Sequence, residues 1–169
     1  WIGTTSGLWM FDGTKFAAPP VAPYVSNRPI TALLSWPDGD VWIASGSPLS
    51  IPGIWAFNGL QWTQLLTTPV LDQQAAITSM LRTRSGDIWV GTSRREGGGG
   101  FGAFRLHKGS WARFTHEDGL ADDCVLSLAE APDGAIWIGT ANGVSRFDET
   151  GWRSFTLADS LSVRYAFAL

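Results

Sequence analysis

The 169 residues carry 12 Lys and Arg against 15 Asp and Glu, a formal net charge of -3, with ten Trp, twenty Gly and two Met. With Lys only at Lys15 and Lys108 and no basic run, this balance argues against nucleic acid as a partner and against contact of this segment with an anionic membrane. No apolar run approaches the roughly 20 residues of a membrane span, and the single cysteine, Cys124, excludes an internal disulfide.

The first predicted elements are short strands over residues 1–4 and 7–12 and near Phe16, followed by a proline-rich connector over 17–29. A second group starts at 30–34, turns at Pro37-Asp38-Gly39 and continues through 41–45, 54–57 and 61–65, with Asn58-Gly59 as its last turn. A third group runs over 77–115 and a fourth over 125–156. In the fourth, the apolar runs 125–128 and 136–139 flank Pro132-Asp133-Gly134 as a hairpin, and 144–147 with 151–156 make a second one. No helix is expected, because the best candidate, Leu71 to Leu81, spends its length entering a strand.

These groups are copies of one unit. Trp1-Ile2-Gly3-Thr4 returns as Trp42-Ile43-Ala44-Ser45, Trp89-Val90-Gly91-Thr92 and Trp137-Ile138-Gly139-Thr140, at intervals of 41, 47 and 48 residues. Four short antiparallel strands per period of about 40 to 45 residues make the blade of a β-propeller, whereas leucine-rich or tetratricopeptide repeats need a helix in each period. The expected fold is therefore all-β: four repeats of four-stranded antiparallel blades over 1–29, 30–76, 77–124 and 125–162, the first lacking its innermost strand. Thr156 to Leu161 repeats Thr115 to Leu120, which makes 163–169 the innermost strand of a further blade, with Ala166 in the register of Val125. The chain then belongs to a ring of about six to eight blades, or to one closed by self-association.

One irregularity points to a site. The anchoring Trp and the Phe of the third strand are 10 residues apart in the first and fourth repeats, but 15 in the second and third. In a propeller this loop shares a face with the linkers between blades, so the extra length collects on one side, where insertions in repeat proteins mark binding. The candidate ligand face is Tyr24, Asn27 and Arg28, then Arg94, Arg95 and Glu96, then His116, Asp122 and Asp123. Arginine forks recognise carboxylates and sugar hydroxyls, and the plainer reading of these residues is a solvated loop tip. The acidic stretch 116–123 lacks the spacing of an EF-hand and reads as a linker that turns the chain. Gly97, Gly99 and Gly102 match a dinucleotide fingerprint by count, but no helix follows to hold a pyrophosphate. Trp42, Trp89 and Trp137 read as packing between sheets rather than a sugar-stacking ladder, and Cys124 as a buried apolar residue. No nucleophile, metal or cofactor pattern accompanies His107 or His116, so no catalytic residue, metal or cofactor is expected.

The repeats resemble the two-component regulator propeller family, whose blades read Asp-Gly, an aliphatic, Trp-Ile-Gly-Thr, two variable residues and Gly-Leu. Residues 1–8 and 133–144 match that pattern, and Thr115, Asp118, Gly119, Leu120 and Val125 match its linker. The second repeat departs from it with Ala44 and Ser45. The resemblance implies an extracytoplasmic, non-catalytic sensor segment that binds a small molecule or carbohydrate, with further blades or a second copy as partners. A second likeness, to streptogramin lyase-like propellers, requires a catalytic histidine, for which His116 is the one position. A purely structural interaction propeller is the third reading.

Overall fold

A computed structural model of the chain describes residues 1–19, 27–36, 39–45, 53–66, 74–94, 98–159, 161 and 165–168. Its strands form four antiparallel sheets, each a meander in chain order. The first sheet has three strands, β1 (Ile2–Thr4), β2 (Gly7–Phe11) and β3 (Phe16–Ala17). The second contains β4 (Ile30–Ser35), β5 (Val41–Ser45), β6 (Gly53–Phe57) and β7 (Trp62–Leu66). The third contains β8 (Ala75–Arg82), β9 (Ile88–Arg94), β10 (Ala103–His107) and β11 (Ser110–Phe114). The fourth contains β12 (Val125–Glu130), β13 (Ile136–Thr140), β14 (Gly143–Asp148) and β15 (Gly151–Phe155). The only helices among the described residues are one-turn 3-10 segments, His116–Asp118 and Leu157–Asp159. This is the propeller architecture that the repeat predicts, with β8 starting two residues before the expected Ile77.

The geometry explains the repeated motif residue by residue. At Gly139 an added Cβ would lie 2.3 Å from the Ala166 carbonyl oxygen, at Gly91 2.5 Å from a Val125 methyl, and at Gly3 2.7 Å from an Ile30 methyl. Ile30, Val125 and Ala166 hold the same repeat position, so the motif glycine is where the next period's innermost segment crosses. The following threonine closes the loop behind it: Thr4, Thr92 and Thr140 donate through Oγ1 to the carbonyls of Gly7, Gly102 and Gly143 at 2.8, 2.6 and 2.8 Å. The third repeat thus keeps the same clasp across its extra residues. In the second repeat Ser45 is buried and its Oγ has no partner among the described residues. The inner strands also share a bulge, at Ile30/Ala32 in β4 and Val125/Ser127 in β12.

The chain divides into two compact units, Trp1–Ile77 and Thr78–Leu169. In the first, Leu8, Val41 and Ile43 form a core with Trp1, Ile30, Leu33, Trp55 and Trp62 packed on it. In the second, Trp89, Ala103, Leu120, Val125, Ile136 and Ile138 form the core between the third and fourth sheets. Trp89 is 1% exposed and meets the rings of Phe114, Phe147 and Trp152 at 5.5, 5.3 and 6.3 Å, as its packing role requires. The linkers repeat as well: Thr115 and Thr156 each receive an Asp carboxylate, Asp118 and Asp159, on the backbone N–H at 2.8 and 2.9 Å. Thr78 Oγ1 donates to the Val125 carbonyl at 2.7 Å, and Ser127 Oγ donates to the Ala166 carbonyl at 2.9 Å. Ala166 thus lies against the fourth sheet, but residues 165–168, expected in an innermost strand, form none.

Candidate functional site

The long loop of the third repeat is laid directly onto the linker that follows. After β9, the Arg94 N–H donates to the Gly99 carbonyl at 2.9 Å, and Gly102 N–H donates to the Asp123 carbonyl at 2.8 Å. A Cβ on Gly100 would fall 1.8 Å from that same Asp123 oxygen, so only glycine permits this approach. The result is a cavity of about 400 Å³ lined by Arg94, Gly98, Gly99, Gly100, His116, Ala121, Asp122 and Asp123. Four of the expected ligand residues, Arg94, His116, Asp122 and Asp123, are thereby brought together. Asn27, exposed and in the left-handed region at φ 59°, and the half-buried Arg28 belong to the other unit. Tyr24, Arg95 and Glu96 lie outside the described residues.

Within the cavity the carboxylates are occupied by the chain's own donors. Asp123 accepts from the His116 backbone N–H through Oδ1 at 2.7 Å, and its Oδ2 lies 2.7 Å from His116 Nδ1. Asp122 Oδ1 accepts from the Cys124 N–H at 2.7 Å. The hydrogen bond to Asp123, and then its charge, raise the His116 pKa above 6.5. With Nδ1 engaged, Nε2 is the ring nitrogen left for a ligand. The Arg94 guanidinium lies 5.3 Å from the Phe101 ring centre and, among the described residues, is bonded to no carboxylate. What the cavity offers is a guanidinium, an imidazole whose raised pKa favours its charged form, and glycine backbone. Cys124, expected to be buried, is half-buried; burial and then the nearby Asp122 push its thiol pKa up, which opposes a nucleophilic role.

The opposite face carries a second cluster that the sequence did not disclose. Asp87, 7% exposed, accepts from Arg105 Nε and Nη2 at 2.9 and 2.5 Å, and its Oδ1 lies 2.8 Å from His107 Nδ1. Burial raises the Asp87 pKa, but hydrogen bonds from Arg105 and His107 and the charge of Arg105 outweigh it and hold the carboxyl below its ordinary value. A cleft of about 530 Å³ opens beside this cluster toward Asp133, Asp148 and Glu149. The available signal was a break in the repeat. In strand register Leu106, opposite Ile88, stands where Phe147 lies opposite Ile136, so His107 takes the place that Asp12, Asn58 and Asp148 hold elsewhere, and Arg105 corresponds to Arg146.

The two component regulator propeller model matches residues 72–94 and 119–142. These stretches are the β8–β9 and β12–β13 hairpins, the second with the end of its linker. Two stretches of the chain thus match the two-component regulator propeller repeat. The matched repeats end at Arg94 and resume at Gly119, so the loop 98–102 and His116 lie outside them while Asp122 and Asp123 lie inside. Among solved structures, the chain is similar to the extracellular domain of BT3049, assigned as a hybrid two component system of B. thetaiotaomicron, at 14% identity and a TM-score of 0.62 over 80% of this chain and 18% of that one. It is also similar to the extracellular domain of BT4673 from the same organism, assigned as a one component system, at 20% identity and a TM-score of 0.67 over 92% of this chain and 20% of that one. At these identities the likeness is one of fold, and the chain spans about a fifth of the length of those structures. Comparison with curated proteins finds no match. Among the described residues no helix is long and apolar enough to cross a membrane, and no cluster of His, Cys, Asp and Glu has the makings of a metal site.

Proposed function

We propose that this regulator-propeller segment is part of the extracytoplasmic sensing region of a signal-transduction protein, a non-catalytic module that binds a small anionic or polyhydroxyl molecule, carbohydrates included. The observation that carries the reading is the convergence of Arg94 and His116 in a cavity whose carboxylates are already bonded internally. Charged donors held beside glycine backbone suit a carboxylate or a set of hydroxyls. The extracellular assignment of the similar structures supports the compartment.

A screen of glycans and small anions on the full-length protein tests this. Arg94→Ala and His116→Ala should each weaken the ligand found by about 1 to 3 kcal/mol, with thermal stability nearly unchanged because both side chains are exposed. Unchanged affinity in both variants, with loss of that ligand on substitution of Asp12 or Asp148, would place the site on the other face. The His116–Asp123 dyad favours a second reading, a lyase in which His116 Nε2 moves a proton. Turnover of a lactone antibiotic that disappears in His116→Ala would establish it over the binding module.

A further inference from the structure

We propose that the cleft on the opposite face, between the third and fourth sheets, is a second binding site, and that it takes a guanidinium group. The cleft already holds guanidiniums of its own chain in two forms. Arg105 is bonded to Asp87 and lies 5.6 and 5.7 Å from the ring centres of Trp89 and Phe147, so carboxylate and aromatic faces together make a cation seat. Arg146 is shared between Asp133 and Asp148.

Charge decides the sign of the ligand. Five carboxylates line the cleft, and counting Arg84 and Arg146 with the lining Arg105 gives three guanidiniums against them. Each of the three is bonded to a carboxylate, so none is free for an anion. The acidic side keeps capacity. Glu149 is exposed and has no ion pair among the described residues. Glu130 is largely buried, with 13% of its side chain exposed, yet its partner Arg84 is 62% exposed. The Arg84 backbone N–H donates to Glu130 Oε2 at 2.9 Å, which leaves Oε1, held by the solvent-exposed guanidinium, as the exchangeable position, because exposed ion pairs contribute little. Arg84 also shows the fit: its Nη2 donates to the carbonyls of Ala131 and Pro132 at 2.5 and 3.1 Å while Nε meets Glu130 at 3.2 Å. The wall differs from the fourth repeat at two places in the same register: His107 stands where that repeat has Asp148 and Asp87 where it has Ala135, while Arg105 corresponds to Arg146.

Agmatine, a guanidinium on a short amine chain, is the probe, and its urea analogue N-carbamoylputrescine keeps the amine while removing the charge at the recognised end. Calorimetry on the full-length protein should show saturable agmatine binding at least roughly fivefold tighter than the analogue. Glu130→Gln should weaken agmatine by about tenfold, Glu149→Gln by roughly two- to fivefold, and Arg84→Ala should strengthen it by freeing Glu130 Oε1, with Oε2 still held by the backbone N–H of residue 84. Arg94→Ala and His116→Ala should leave it unchanged, which separates this site from the sensor cavity. Thermal melts check each variant, and if Glu130→Gln does not fold, Glu149→Gln and Arg84→Ala carry the decision. Absence of saturable binding, equal affinity for the two probes, or no gain in Arg84→Ala overturns the proposal.

Discussion

His116 and Asp123 show how one pair can set both local structure and pH response. Asp123 ties the His116 backbone and ring to the linker at 2.7 Å each, and the same contacts raise the imidazole pKa. A folded pKa above the unfolded value means that the pair's contribution is fully present below the unfolded pKa and lost as pH rises through the folded one. The ring is exposed, so binding is the sensitive readout rather than global stability. Affinity for an anionic ligand at the Arg94 cavity should fall as pH rises through the His116 titration. NMR should find that pKa above 6.5 and shifted back toward it in Asp123→Asn; an unshifted titration in that variant would remove Asp123 as the cause. Asp87 runs the other way: its lowered pKa makes a contribution that is present above the unfolded value and lost as pH falls through the folded one.

At the scale of strands and turns, the hairpin between β10 and β11 differs from its counterparts. In β2, β6 and β14 the Asx residue after the Phe caps the turn, as when Asp148 Oδ1 accepts from the Thr150 N–H at 2.7 Å. In the third sheet β10 continues to His107 and the turn is Lys108-Gly109, with φ 48° and 80°. Two successive positive φ angles fit a type I′ hairpin turn, which favours Asn-Gly, and lysine is strained at its first position. Lys108→Asn should stabilise the protein by about 0.5 to 1 kcal/mol, read as a raised denaturation midpoint at constant slope; a lowered midpoint would show that Lys108 makes a contact that offsets its strain. This hairpin also marks what was legible in the sequence. The period and the motif Trp-Ile-Gly-Thr disclosed the sheets, and loop topology brought Arg94, His116, Asp122 and Asp123 to one face. The Asp87 cluster was not legible, because its members are 18 and 20 residues apart and meet only through strand register. Trp89 pairs with Arg105, which sets His107 opposite Asp87.

Stacked sheets behave as nearest-neighbour systems, in which the interface between two repeats contributes as much as either repeat alone. Within the unit Thr78–Leu169 that interface is concentrated on Trp89, buried against Phe114 of its own sheet and against Phe147 and Trp152 of the next. Its repeat equivalent Trp137 is half-buried and stacks on Phe155 of its own sheet at 6.0 Å. The same residue type at the same register therefore makes different contacts in the two sheets. Trp89→Ala should cost about 3 to 5 kcal/mol, the range for a large aromatic removed from a packed core. Because Trp89 bridges two sheets, its loss should accelerate amide hydrogen exchange in β13 and β14 as well as in β9 and β10. Faster exchange confined to the third sheet would mean that the two sheets are stabilised independently and that the aromatic cluster does not couple them.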